Sequence, residues 1–291
     1  MSFLSIREML QACQESRQPL YEVILESDLA ESGLTRAESE AEMHRLWSVM
    51  RATSDGYCGA DRSMSGFVGG DAAKVEQAAA RGTLYANGYF ASVMAEALKT
   101  AECNACMKRI VAAPTAGSCG VLPAVLLPLW RTGSADEEAV CRALYVAAGF
   151  GQVVASRATL AGAEGGCQAE VGSAAAMAAA ALVQMMGGTP EQALDASSIA
   201  LSNLLGLVCD PVGGLVEVPC QNRNAIGVAA AFSSAQLALA GIKSLVPFDQ
   251  MAHVMLSVGH ALPATLRETA KGGIAQAPAA LSACAKCGIC G

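Results

Sequence analysis

Twelve cysteines in 291 residues are the first chemistry the chain offers, and their spacing divides them. Cys13, Cys58, Cys103, Cys106, Cys119 and Cys141 are scattered and read as small core hydrophobes. Cys284, Cys287 and Cys290 stand at every third position of the tail 284–291, a spacing that iron–sulfur and zinc sites use. Cys209 and Cys220 bracket a loop holding Pro211, Gly213, Gly214 and Pro219, and closure of that loop would let the two thiols converge. Cys167 lies in the Gly-rich run Glu164 to Gly172. By spacing alone the tail is the strongest metal signal. Zinc is disfavoured there for want of a fourth His or a second paired C-x-x-C group, and a merely reactive tail is the alternative.

The compartment sharpens the question. Arg7, Glu8 and Glu15 interrupt the region where an export signal needs unbroken apolar sequence, so the expected location is cytoplasmic. A reducing cytosol disfavours structural disulfides, which leaves metal or redox chemistry for the grouped thiols.

The elements that must position them are helices. Of the residues, 53% are apolar, 15% charged and 4% aromatic, a globular composition whose core is filled by Ala, Leu, Val and Met. Thr35 to Glu38 forms a capping box that opens a helix running to about Ser54. Ser134 to Glu137 caps another, and Thr189 followed by Pro190 a third. Gly272 and Gly273 read as a helix stop. Only Leu215 to Val218 reads as extended. The expected fold is therefore all-α, one large multi-helix domain over residues 1–291 with a Cys-rich tail. Two uncharged stretches, Val171 to Pro190 and Asn224 to Ile242, reach spanning length. Their Ala, Gly, Ser, Gln and Asn content, without flanking basic clusters, marks them as buried helices, so no membrane is expected. A net charge of −7 repels phosphate backbones and argues against nucleic acid as a partner.

Four Gly- and Pro-marked segments interrupt the helices: Ser63 to Asp71, Ala113 to Gly120, Glu164 to Gly172 and Cys209 to Cys220. Loops held on rigid helices are where binding groups concentrate. Their sequences, SMSG at 63–66, APTAGSCG at 113–120, EGGCQAEVG at 164–172, CDPVGG at 209–214 and PCQNRN at 219–224, occur in the order found in one family. The chain resembles the α subunit of bacterial iron–sulfur L-serine dehydratase over nearly its whole length.

The resemblance implies a [4Fe–4S] cluster held by Cys167, Cys209 and Cys220, with one iron left for substrate, and this overrides the ranking of the tail. It further implies that Cys290, one residue from the end, folds back as a resting-state fourth ligand. Cys284 and Cys287 are left without a role. The substrate-binding motifs of the family map to Ser63, Ser65 and Gly66 and to Thr115, Gly117, Ser118 and Gly120.

Elimination of ammonia from L-serine needs an electrophile on the hydroxyl oxygen and a base near the α-carbon. An open iron supplies the first, with no pyridoxal phosphate lysine required. The turn Thr115 to Gly120, at a helix start, suits the substrate carboxylate. The base is the gap. The three histidines are His44, His253 and His260, and none has a recognisable catalytic setting. The family's Ser-Ser-His-Thr and Gly-His-Gly-Thr-Asp motifs do not occur in this sequence, so a separate β subunit is expected to supply the base, with His260 as the fallback. Alternative functions are a related iron–sulfur cysteine desulfidase and a non-catalytic iron–sulfur carrier.

Overall fold

In a computed structural model of the chain, residues 3–85 and 88–289 are described. Among them the architecture is all-α, as expected: thirteen α-helices joined by short 3₁₀ turns, with no strand. The single piece of β-type pairing is an isolated parallel bridge between Cys209 and Arg267. The piece expected to be extended, Leu215 to Val218, forms no strand. Its residues lie in the turns that follow Val212–Gly214, with no partner segment to pair against.

At the centre is α9 (Ser173–Met185), SAAAMAAAALVQM, whose residues 173–183 are all buried. Ala-rich helices approach closely because nothing beyond Cβ separates their axes. Helices α7 (Glu137–Arg157), α10 (Pro190–Ser202) and α11 (Cys220–Leu239) pack against α9. Gly151 of α7 shows how tightly, since a Cβ there would lie 3.0 Å from Met177 Cε on α9. Of the two uncharged stretches of spanning length, the first is the buried helix α9, whereas the second lies in α11, which buries one face and leaves Ile226, Ser233, Gln236 and Leu237 exposed. The one helix long and apolar enough to cross a bilayer among the described residues is α7, and 67% of its apolar window is buried inside the protein.

The capping signals hold. Thr35 and Thr189 make complete capping boxes for α3 (Arg36–Asp55) and α10, and Asp136 caps α7 through the Ala139 amide. The expected stop at Gly272 is displaced. Helix α12 (Phe248–Ala261) ends at Leu262, where Pro263 removes the next amide donor. Gly272 instead precedes a 3₁₀ turn, Gly273–Gln276. The tail is helical too: α13 (Pro278–Cys287) carries Cys284 and Cys287 one turn apart and packs on the turn Val212–Gly214 between Cys209 and Cys220.

Candidate active site

The EGGCQAEVG run is bent by Gly166, whose φ of +76 favours glycine. A single π-helical turn follows, Gln168–Gly172, leading into α9. Such turns widen a helix at the expense of regular bonding and recur at functional sites. Gln168, fully buried, fixes the bend. Its Nε2 donates to the carbonyls of Gly165 (2.8 Å) and Met255 (3.0 Å), and its Oε1 accepts from the Gly206 amide at 2.8 Å. Cys167 is held at this corner.

Cys209 is placed by backbone pairing. Its amide donates to Leu266 O (2.9 Å) and its carbonyl accepts from Glu268 N (2.7 Å). Cys220 opens α11. All three cysteines are buried and free, and they sense one another. Burial pushes the Cys167 thiol up to about 11 and the Cys220 thiol up to about 12. Cys209 is raised as well, first by burial, then by the Cys167 sulfur, and then by Glu170, Glu268 and the Cys220 sulfur. Three of the thiols singled out from sequence are therefore buried on neighbouring segments, with Cys209 and Cys220 both raised by the Cys167 sulfur. Among the described residues, no trio of His, Cys, Asp or Glu is gathered closely enough to hold a single metal ion. Cys290 lies outside the described residues.

A carboxyl group that the sequence reading missed stands beside them. Glu170 acts electrostatically on all three thiols, and burial holds its own carboxyl above the ordinary value. Its Oε1 accepts from Thr115 Oγ1 at 2.7 Å. Glycines make room for it. A Cβ on Gly162 would meet Glu170 Oε2 at 2.7 Å and Cys209 Sγ at 3.0 Å, and one on Gly117 would lie 3.1 Å from Oε1.

The two expected substrate loops are bonded internally. Ser63 Oγ donates to Glu217 Oε2 at 2.7 Å, and Ser65 Oγ donates to the same oxygen. The Phe67 and Val68 amides in turn donate to the Ser65 and Ser63 hydroxyls. Gly66 is exposed, with φ +76. Farther along that loop, buried Glu102 takes the Gly70 and Ala72 amides and the Tyr57 hydroxyl. In the second loop Ser118 is fully buried, 3.1 Å from Thr115 Oγ1. The Gly120 amide is taken by Asn224 Oδ1 at 2.8 Å, while Asn224 Nδ2 donates to the carbonyls of Gly117 and Cys220.

The histidines stand apart. His44 pairs with Glu137 and His253 lies 3.3 Å from Arg157 Nη1, while His260 is exposed in the last turn of α12.

The all-helical chain thus buries three thiols near one carboxyl group and beside two Gly/Ser/Thr loops. Comparison with known proteins gives its family. The family model described as "Serine dehydratase alpha chain" matches residues 7–275. The chain is 45% identical over 270 residues to the "L-serine dehydratase, alpha chain" of Peptoniphilus asaccharolyticus, covering 92% of each. It is 41% identical over 276 residues to the "Probable L-serine dehydratase, alpha chain" of Bacillus subtilis, covering 95% of this chain and 92% of the relative. It is 33% identical over 286 residues to "L-serine dehydratase TdcG" of Escherichia coli, where 94% of this chain covers only 61% of the relative. The chain belongs to the serine dehydratase alpha chain family, a family of lyases.

Proposed function

We propose that this chain is the cluster-bearing half of an L-serine ammonia-lyase that converts L-serine to pyruvate and ammonia. The observation that carries the reading is the set of three buried, mutually interacting thiols beside Glu170. The donor set suits a cluster better than an ion. All three donors are soft sulfurs, the ligand type that iron–sulfur clusters take. Cys167, Cys209 and Cys220 would hold a [4Fe–4S] cluster, with Cys290 as the resting-state fourth ligand. When bound, such a cluster with an iron lacking a protein ligand supplies a Lewis acid for the substrate hydroxyl; no pyridoxal phosphate takes part.

The chain's own residues bind and orient the substrate. Ser63, Ser65 and Gly66 offer one loop, and Thr115, Gly117 and Ser118 the other. Glu217 and Glu170 fix the directions of the Ser63, Ser65 and Thr115 hydroxyls, because each hydroxyl hydrogen is committed to a carboxylate oxygen and its lone pairs face elsewhere. Gly120 serves this site indirectly, through the Asn224 clamp that ties its loop to Cys220.

A separate β chain would complete the site and carry the base. Two relatives named as alpha chains match this chain nearly end to end, whereas the E. coli enzyme extends well beyond the match. The chain acts in the cytoplasm as one domain over 1–291, free of nucleic acid and membrane. Its test is turnover by the anaerobically reconstituted complex with the β chain. Pyruvate from L-serine supports the reading, and a complex with an intact cluster but no serine turnover defeats it.

A further inference from the structure

Arg223 ties the segment of Cys209 to the helix that Cys220 opens. It lies one helical turn after Cys220 on α11. Its Nη1 donates to the carbonyl of Val208, and its Nη2 donates to Asp210 Oδ1, each at 2.7 Å, on either side of Cys209. Its positive charge also acts on the Cys167 thiol, against the burial that pushes that thiol up. The side chain is 14% exposed and Asp210 3%, so the guanidinium is fixed, not sampling solvent. Asp210 is itself anchored, because its Oδ2 accepts from the Ile274 amide at 2.8 Å.

A planar guanidinium presents its donors as a rigid fork, which lets one side chain tie the carbonyl and the carboxylate that flank Cys209 to the helix that Cys220 opens. Val208 and Asp210 take two of its five N–H donors. When three thiolates form around a bound group, their added negative charge falls in a buried site. The fixed positive charge of Arg223 then offsets part of it.

On the cluster reading above, we propose that Arg223 is a positioning residue for the bound cluster: by clamping the Cys209 segment to the helix that Cys220 opens, and by holding a buried positive charge beside the sulfurs, it raises the cluster's reduction potential and slows iron loss. Hydrogen bonds to ligating sulfurs and nearby charge are the protein's main levers on both properties.

The test uses R223Q and R223K in the complex with the β chain, reconstituted anaerobically with iron and sulfide. For R223Q, iron release to a ferrous chelator should quicken by about tenfold or more, and the midpoint potential should move negative. R223K, which keeps the charge but not the fork, should fall between R223Q and the parent. R223Q that takes up no cluster while its apo chain melts like the parent also supports the proposal. Unchanged release and potential in R223Q overturn it. So does a lowered apo melting temperature in both variants when the cluster of the folded fraction keeps the parent potential, because the role is then general stability. A parent complex that accepts no cluster removes the cofactor reading, and this inference with it.

Discussion

Thr115 Oγ1 donates to Glu170 Oε1 across 2.7 Å, and this bond joins the turn before α6 (Val121–Arg131) to the π-helical turn after Cys167. A hydroxyl expected to serve substrate is thereby aimed by a carboxylate beside the thiols. Ser63 and Glu217 repeat the arrangement on the other loop. In each case the acid comes from a cysteine-bearing segment and the hydroxyl from a Gly-rich turn, so the cysteine segments and the substrate loops are fixed to one another.

Glu170 is expected to matter for turnover and to cost stability. E170Q should lower kcat/KM for L-serine by about tenfold, because the Thr115 hydroxyl that Glu170 directs loses its carboxylate acceptor. Its folded-state pKa is raised by burial, so the folded chain holds the proton more tightly than the unfolded one. Stability is then fully present below the ordinary glutamate range and declines as pH rises through the raised value. E170Q should remove that decline. Melting of the apo chain at neutral and at acid pH checks it: the variant should melt higher than the parent at neutral pH and level with it in acid.

Glu217 should act through the loop it holds. E217Q leaves the Ser63 and Ser65 hydroxyls with a neutral acceptor, a loss of roughly 1–3 kcal/mol for bonds to a charged group. The expected outcome is KM for L-serine raised by about tenfold, with iron content unchanged, measured by steady-state kinetics beside iron analysis.

Gly120 is a packing requirement. A Cβ there would stand 2.3 Å from the Ala97 carbonyl oxygen, a backbone atom that cannot step aside. G120A should destabilise the chain by about 1–3 kcal/mol or more, read as a lower denaturant midpoint with unchanged slope.

The thiols divide by role. C167A, C209A and C220A should each reduce iron and sulfide to background after reconstitution, while C290A should keep a cluster with an altered resting spectrum. Air should inactivate the parent, and ferrous iron with reductant should restore it. Normal iron in all three internal variants would contradict the ligand assignment.

The helices were legible because their signals are local. Thr35, Asp136 and Thr189 cap within three residues, and the Ala-rich runs at α9 and α11 allow no other packing. The convergence of Cys167, Cys209 and Cys220 was not legible from spacing, since it depends on Gln168, on the pairing of Cys209 with the segment around Arg267, and on the start of α11. Only the family motifs carried it. Glu170 and Glu217 were written inside those motifs, in EGGCQAEVG and in the loop before Pro219. Their role was hidden because their partners lie 55 and 154 residues away. The misplaced stop at Gly272 came from reading paired glycines as a helix end where Pro263 had already ended the helix.

The central claim, that an iron beside Cys167, Cys209 and Cys220 is open to substrate, is tested most directly by the spectrum of the anaerobically reconstituted complex with the β chain, recorded before and after addition of L-serine. A saturable, serine-dependent change in the cluster signal is the expected result. A full complement of iron and sulfide whose spectrum is indifferent to serine would contradict it.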